Sequence, residues 1–572
     1  RAKFLNPLNM VQNSDGNLQY ELGMKFYEEK NFEEAKNQFI MAILHDHAGA
    51  QCYLGFMYYK GQGVDQMDKE AAVEWFQKAA DQGHAGAQFN LGVMYFNGES
   101  VDQNYALAAK WYQKAAAQNH AGAQYKLGDM YYKGQGVDQM DKEAAVEWFQ
   151  KAADQGHAEA QCNLGVMYFN GESVDQNYAL AAKWYQKAAA QNHAGAQYKL
   201  GDMYYKGQGV DQIDKEAAVE WFQKAADQGH AEAQCNLGVM YFNGESVDQN
   251  DALAAKWYQK AAAQNHAGGQ CYLGFMYANG KGVPQSDTLA AKWYQKAAAQ
   301  GNAVAQVNLG LMYANRKGVP QSDDNAFKWF QKAAAQGDAV AQFNLGMMYA
   351  YGKGVPQSLT EAFRLFKSAA EQGHAHARFN LGMMYAYGNG VPQNLKEAFR
   401  LFKSAAEQGH AHAQYNLGMM YANGNGVPQN LTEAFRLFKS AADPKNDNSG
   451  ENGFVLAQYN LGVMYANGNG VPQDLTEAFR LFKSAADPKN DNSGENGFVL
   501  AQYNLGVMYE IGEGVDQNDK EAFNWYQKAA AQNDALDVEC YLTAVAQAHS
   551  NAQNNLGNCY YYGKGVEKSD NE

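Results

Sequence analysis

The segment AGAQFNLGVMYFNGESVDQNYALAAKWYQKAAAQN spans residues 85–119 and contains two helical patterns joined by a turn. In the first pattern, Leu91 and Met94 lie on one face, because residues three and four apart share a side of an α-helix. The cluster at residues 97–100 then predicts a turn. In the second pattern, Trp111 and a set of alanines again share one face. The segment therefore predicts an antiparallel helix pair.

The same segment recurs along the chain, and each copy contains a Leu-Gly pair followed by Met-Tyr after one residue. The leucines are separated by 36 or 37 residues, then twice by 44 and once by 51 before a degenerate last copy. They are Leu54, Leu91, Leu127, Leu164, Leu200, Leu237, Leu273, Leu309, Leu345, Leu381, Leu417, Leu461, Leu505 and Leu556. A fixed period of this length is typical of stacked repeats that share one continuous core.

A glycine sits in the middle of the first helix of every repeat, as Gly92 does in the segment above. Glycine costs about 1 kcal/mol relative to alanine in a helix interior. Its recurrence predicts that the paired helix approaches closely at this point. Arg316 stands where most other repeats have the turn glycine, which predicts a strained left-handed backbone at this residue.

Composition excludes several classes of protein. The chain has 61 acidic and 46 basic residues and a net charge of −15, which argues against a nucleic-acid binder. No run of 18 apolar residues occurs, so no membrane span is predicted. Hydrophobic residues make up 46% of the chain, enough to build a core. We expect a soluble protein, either cytoplasmic or exported.

The repeat resembles the Sel1-like repeat, a relative of the tetratricopeptide repeat. The matching pattern is A-x-A-Q-x-x-L-G-x-M-Y, then G-x-G-V-x-Q, then A-x-x-W-[FY]-x-K-A-A-x-Q-G, over roughly residues 49–565. The resemblance implies an all-α, right-handed superhelical solenoid with the first helix, helix A, on its concave side and the second, helix B, outside. It also implies a bacterial scaffold or adaptor protein.

The repeat pattern predicts the division of the chain. The predicted segments are an N-terminal extension at 1–16, a tetratricopeptide-like capping unit at 17–48, the Sel1-like array at 49–533, an insertion at 534–548 and an incomplete terminal repeat at 549–572. Two related loops, 443–454 and 487–498, lengthen two connections within the array. Because the last repeat stops before helix B, we expect the natural chain to continue beyond residue 572.

Three copies of a 73-residue block show which positions of the repeat vary. We number helix A so that the leucine of Leu-Gly is position 7. The blocks 55–127, 128–200 and 201–273 differ at only eight offsets, of which five fall at positions 2, 5, 6 and 9 of helix A. Positions 2, 5 and 9 share a face, which we expect to be exposed. Two explanations are open: neutral sequence drift on an exposed face, or adaptation of a binding groove to its ligand.

Position 6 defines the candidate groove. It holds Asn90, Lys126, Asn163, Lys199, Asn236, Asn308, Asn344, Asn380, Asn416, Asn460 and Asn504. In related tetratricopeptide grooves an asparagine here holds the backbone or carboxylate of a peptide, and the resemblance implies the same role. Lys133 and Lys206 at position 13 lie near the lysines of position 6, and Asp129 and Asp202 offset them partly. Residues 120–210 are therefore predicted to bind an acidic segment or a C-terminal carboxylate.

The sequence predicts no catalytic residues, no cofactor and no metal site. A recurrent histidine precedes helix A, and we expect it to act as a helix cap or loop residue; the positions are His84, His120, His157, His193, His230, His266, His374 and His410. The main functional hypothesis is a non-catalytic scaffold that binds a protein or extended peptide. The alternatives are an immunity or inhibitor protein that clasps one toxin or effector and, remotely, a β-lactam-binding hydrolase.

Overall fold

A computed structural model describes residues 7–443, 455–486, 498–531, 542–562 and 564 of the 572-residue chain. Within these ranges the chain forms 29 α-helices and no strand, which confirms the all-α prediction. The chain divides into two compact units, an N-terminal unit (Arg1–Ser286) and a C-terminal unit (Asp287–Glu572). None of the described helices is both long and apolar enough to cross a membrane.

Helices A and B alternate along the N-terminal unit. Its helices are α1 (Pro7–Glu28), α2 (Phe32–Ile43), α3 (Ala48–Lys60), α4 (Lys69–Asp81), α5 (Ala85–Asn97), α6 (Tyr105–Ala117), α7 (Ala121–Lys133), α8 (Lys142–Asp154), α9 (Ala158–Asn170), α10 (Tyr178–Ala190), α11 (Ala194–Lys206), α12 (Lys215–Asp227), α13 (Ala231–Asn243), α14 (Asp251–Ala263) and α15 (Ala267–Asn279). The odd numbers are helix A, and the even numbers are helix B.

The C-terminal unit continues the alternation. Its helices are α16 (Asp287–Ala299), α17 (Ala303–Ala314), α18 (Asp323–Ala335), α19 (Ala339–Tyr351), α20 (Leu359–Glu371), α21 (Ala375–Tyr387), α22 (Leu395–Ala406), α23 (Ala411–Asn423), α24 (Leu431–Ala441), α25 (Val455–Asn467), α26 (Leu475–Ala485), α27 (Val499–Ile511), α28 (Asp519–Ala530) and α29 (Leu542–Tyr562). Within each unit, helix B packs both against its own helix A and against the next one.

Helix A and helix B meet where the mid-helix glycine faces an aromatic ring. A Cβ atom added to Gly92 would lie 2.7 Å from Tyr112 Cδ1, and one added to Gly201 would lie 2.8 Å from Phe222 Cδ1. Both rings are fully buried. The same arrangement recurs along both units, which confirms the predicted close approach. No larger side chain fits here without moving the two helices apart.

Buried glutamines at position 4 of helix A connect neighbouring repeats. Gln88 is 4% exposed. Its Nε2 donates to Ala80 O of the preceding helix B at 3.1 Å, and its Oε1 accepts from Gln118 Nε2 of its own helix B at 2.8 Å. One side chain therefore ties three helices together, and it satisfies the polar groups that burial would otherwise leave unpaired.

Helix A usually ends at a left-handed glycine, as at Gly98 with φ 73°. Arg316 adopts φ 55° in the corresponding turn, which confirms the predicted left-handed conformation. Such a backbone costs a residue with a Cβ atom about 1–2 kcal/mol.

Several predicted boundaries stay predictions. Helix α1 begins at Pro7 and runs through residue 17, where the capping unit was expected to start after the extension at 1–16. Most of the loops 443–454 and 487–498 and residues 534–541 of the predicted insertion lie outside the described residues. The remainder of that insertion, residues 542–548, belongs to α29.

Gly201→Val is expected to destabilise its own repeat by about 1–3 kcal/mol, because the added side chain would overlap the Phe222 ring. Repeats contact only their neighbours, so amide hydrogen exchange should increase in α11, α12 and the adjoining helices but not at distant ones. The control is Gly195→Ala in the same helix, at position 2, where other repeats carry glutamate. Equal loss of protection along the whole chain would contradict this prediction.

Candidate functional site

A histidine caps the N-terminus of helix A in most repeats. His84 Nδ1 accepts the backbone N–H of Ala87 at 3.1 Å, and His120 Nδ1 accepts that of Ala123 at 3.2 Å. Asn302 has the same role in α17. An imidazole nitrogen accepts a hydrogen bond only when it carries no proton, so these caps require neutral histidines. The predicted cap role of the recurrent histidine is confirmed.

Position 5 of helix A packs against the next repeat. The ring of Phe89 stacks on His120 with centroids 4.8 Å apart, and that of Tyr125 stacks on His157 at 4.7 Å. Where cysteine takes this position it is also covered; Cys162 is 8% exposed, and burial raises its pKa to about 11. The expectation that positions 2, 5 and 9 form one exposed face is therefore wrong at position 5, because the next helix A covers it.

Two equivalent clusters of charged and aromatic side chains lie on helix A of the N-terminal unit. Their members are Tyr125, Lys126, Asp129, Glu159 and Asn163 in the first and Tyr198, Lys199, Asp202, Glu232 and Asn236 in the second. We call them the charged clusters. Each combines residues of two successive helices A, α7 with α9 and α11 with α13.

The first cluster shows the electrostatics of both. Burial raises the pKa of Tyr125, the carboxylates of Asp129 and Glu159 raise it further, and a hydrogen bond with Asn163 opposes them. Lys126 Nζ lies 5.7 Å from the centre of the Tyr125 ring, within range of a cation–π contact. Anionic, cationic and amide groups are thus combined around one aromatic ring.

The position-13 lysines are paired within their own helices. Lys133 Nζ lies 2.8 Å from Asp129 Oδ2, and Lys206 Nζ lies 2.8 Å from Asp202 Oδ2. Both pairs have the i, i+4 spacing that brings side chains together on a helix. Two of the four lysines predicted to make residues 120–210 basic are therefore neutralised locally, so the positive charge is smaller than their number indicates.

Five position-6 asparagines of the C-terminal unit donate to their own helix. Asn344 Nδ2 donates to Val340 O at 2.8 Å, and Asn380 Nδ2 donates to His376 O at 2.9 Å. Equivalent bonds are formed by Asn308, Asn416 and Asn460. One amide N–H is thus used within the helix, which the sequence pattern did not show.

The remaining position-6 asparagines are half-buried. Asn90 hydrogen-bonds Cys52 of the preceding helix A, whereas Asn163 and Asn236 belong to the charged clusters. Asn504 is half-buried in α27. The structure therefore places the predicted groove residues along helix A but divides them into groups with different neighbours.

Four members of the charged clusters lie at positions that the sequence analysis found to be variable, but they were left out of the predicted groove residues. Tyr125 and Tyr198 occupy position 5, and Glu159 and Glu232 occupy position 2. All four differ between the 73-residue blocks, as the neighbouring lysines do. This shared variation is the signal that could have grouped them with position 6.

The described residues contain no group of three or more His, Cys, Asp or Glu side chains that could hold a metal ion. The densest group of histidines lies in the C-terminal unit, where the rings of His376 and His410 have centroids 4.7 Å apart. His410 uses its Nδ1 as the cap of α23. The two rings pack against each other, and His376 also contacts Phe343 while His410 stacks on Phe379.

The stacked helix pairs, the glycine–aromatic contacts and the bridging glutamines define a helical repeat protein. The Sel1 repeat model matches residues 48–84, 85–120, 121–157, 158–193, 194–230, 231–266, 267–302, 303–338, 339–374, 375–410, 411–443, 455–487, 499–534 and 550–572. The chain belongs to the Sel1 repeat family, as its sequence pattern indicated. No curated protein matches it.

Solved bacterial structures agree with this assignment. c5321, a protective antigen of uropathogenic Escherichia coli with an SLR fold, is 31% identical over 88% of this chain and 99% of its own, with a TM-score of 0.65. A Sel1 repeat protein from Oxalobacter formigenes is 33% identical over 42% and 96%, with a TM-score of 0.40. The Pseudomonas aeruginosa immunity protein Pa5087 is 21% identical over 38% and 81%, with a TM-score of 0.26, too low to support the immunity alternative.

Acidification from about pH 7.5 to about pH 5.5 is expected to loosen the start of α5, because a histidine released from its cap takes up a proton in this range. Burial lowers the pKa of His84, so the unfolded chain binds a proton more readily than the folded chain. The stability contribution is therefore complete above the ordinary histidine pKa of about 6.5 and is lost as the pH falls below it. Hydrogen exchange at the Ala87 amide measures the effect.

Two variants separate titration from capping. His84→Asn keeps an acceptor, as Asn302 does in α17, and should remove the pH dependence after correction for intrinsic exchange. His84→Ala should lose about 1 kcal/mol of helix stability already at neutral pH. If the wild type and His84→Asn respond alike to acid, the cap is not the titrating group.

Proposed function

We propose that the chain is a non-catalytic scaffold that binds an extended segment of a partner protein along helix A. Members of the Sel1 repeat family form scaffolds typical of protein–protein interaction. Stacked helices present equivalent side chains at regular intervals, which suits an elongated ligand. The proposal extends this general role to the exposed positions of helix A in this chain.

The observation that carries the proposal is the recurrence of the charged clusters, whose charged side chains the fold does not require. Equivalent repeats replace Lys126 by Asn90 and Glu159 by Gly86 while keeping the same helices and core. Lys199 is exposed, and the Glu159 side chain is 56% exposed. Side chains that vary freely, remain accessible and yet recur as a group are suited to partner recognition.

The chemistry of these clusters favours a carboxylate-bearing segment. Lys126 and Lys199 lie outside the i, i+4 pairs that neutralise Lys133 and Lys206. A lysine provides three donors to a carboxylate, and the adjacent asparagine provides a donor and an acceptor for a peptide backbone. We therefore assign an acidic segment or a C-terminal carboxylate to residues 120–210, with Lys126 and Lys199 as its contacts.

Lys126→Ala/Lys199→Ala is expected to weaken binding of the partner about tenfold, through the loss of two charge-assisted hydrogen bonds. The partner is first identified by pull-down from the source cells with mass spectrometry. Its affinity, as a purified protein, is then measured at several salt concentrations. The variant should flatten the salt dependence, since charged contacts accelerate association most at low salt, and its melting temperature should not change.

The matched control is Lys110→Ala/Lys183→Ala, which removes two exposed lysines from helix B of neighbouring repeats. It should bind the partner as the wild type does. Asn344→Ala/Asn380→Ala tests whether the C-terminal unit contributes to the same contact. If all of these variants retain affinity and deletion of the loops 443–454 and 487–498 abolishes it, recognition lies on the loops and helix A is not the binding surface.

A further inference from the structure

Five positions of helix A in the C-terminal unit carry no acidic or basic residue apart from histidine. We define the uncharged surface as positions 2, 5, 6, 9 and 13 of α17, α19, α21, α23, α25 and α27. These thirty positions, five on each of six helices, contain no Asp, Glu, Lys or Arg. The chain as a whole is 19% charged. The corresponding positions of α5 to α15 hold eight charged residues, four lysines and four acids.

The repeat fold does not require this lack of charge. Glutamate occupies position 2 in α9, aspartate occupies position 9 in α7, and lysine occupies position 13 in α7. The same backbone therefore accepts charged side chains at these positions. Packing of the repeats therefore does not explain why these positions of the C-terminal unit lack charge.

Large apolar side chains replace the charges. Val304 is 57% exposed and Val340 is 41% exposed at position 2, while Tyr351 and Tyr387 are 66% and 53% exposed at position 13. The residues between them at position 9 are Leu311, Met347, Met383 and Met419, all half-buried. Exposed apolar groups that are contiguous are uncommon on proteins without partners.

Polar groups on this surface are amides and imidazoles at regular spacing. Asn344, Asn380 and Asn416 each donate one amide N–H to the carbonyl four residues earlier, at 2.8–2.9 Å, which holds each amide in one orientation. His376 and His412 at position 2 are exposed. The row of asparagine amides can hydrogen-bond the backbone of a bound peptide, and the row of methionines beside it can contact apolar side chains of that peptide.

We propose that the uncharged surface binds an extended, uncharged segment of a partner protein that carries aliphatic or aromatic side chains. Interface centres are depleted in charge and enriched in methionine and aromatic residues, and methionine adapts to side chains of different shape. A charged segment would lose hydration here without gaining an opposite charge. The inference rests on the proposed function, because it assigns a second class of segment to helix A.

The test transfers the charges of α7 and α9 onto α19. Val340→Glu places at position 2 the residue type of Glu159 in α9. Met347→Asp and Tyr351→Lys place at positions 9 and 13 the residue types of Asp129 and Lys133 in α7. The aspartate and lysine then have the i, i+4 spacing of an ion pair that the fold already contains. The control in the same repeat is Thr360→Glu, which adds a charge at an exposed position of helix B (α20), outside the uncharged surface. Circular dichroism and melting temperature confirm that both variants fold.

The probe is a phage-displayed library of random dodecapeptides, panned against the full chain at about pH 8, where imidazole is largely neutral. Peptides enriched on the wild type should include a group that is poor in charged residues and rich in aliphatic and aromatic ones. Synthetic copies of that group should bind the α19 triple variant at least about tenfold more weakly. They should bind the Thr360→Glu control and the wild type equally, with little dependence on salt.

Other outcomes overturn the inference. Unchanged binding of these peptides to the α19 triple variant would show that the uncharged surface is not their site. Enrichment of charged peptides alone, dependent on Lys126 and Lys199, would leave the proposed function in place but remove this inference. Absence of any enriched peptide on the wild type would contradict both. A dimeric wild type that becomes monomeric in the triple variant would identify the occupant as a second copy of the chain.

Discussion

The contact between the mid-helix glycine of helix A and the aromatic ring of helix B sets the distance between the two helices of a repeat. At Gly92 and Tyr112 the separation leaves no room for a Cβ atom. This constraint buries the ring completely and brings the alanines of helix B against helix A. Because the helix pair has this fixed thickness, the next pair can stack on it in the same way, and the repeat propagates.

In the stacked repeats, the other positions of helix A make different contacts. Position 4 holds the buried glutamine that bridges three helices, as Gln88 does. Position 5 carries the ring that stacks on the next histidine cap, as Phe89 does on His120. Positions 2, 6, 9 and 13 remain at least partly open. Sequence variation among the duplicated blocks collects at helix A because the core and cap positions tolerate so little of it.

The fold could be predicted from the sequence because period, glycine and turn signals agree in every repeat. The candidate site could be predicted only in part. The burial of position 5 depends on the neighbouring repeat, which a single helical wheel does not contain. Likewise, the internal hydrogen bond of Asn344 and the pairing of Lys133 with Asp129 depend on side-chain geometry. A prediction from residue type alone treats these groups as available to a partner.

Charge distinguishes the helix A surfaces of the two units more than shape does. In α5 to α15 of the N-terminal unit the four lysines and four acids give no net charge, so we expect selectivity there to depend on where each charge lies. On the uncharged surface of the C-terminal unit, we expect selection by the cost of desolvation, since an ionised segment would exchange water for methionine and tyrosine. The same backbone repeat can therefore favour partner segments of opposite polarity, without any change in the glycine–aromatic contact that builds it.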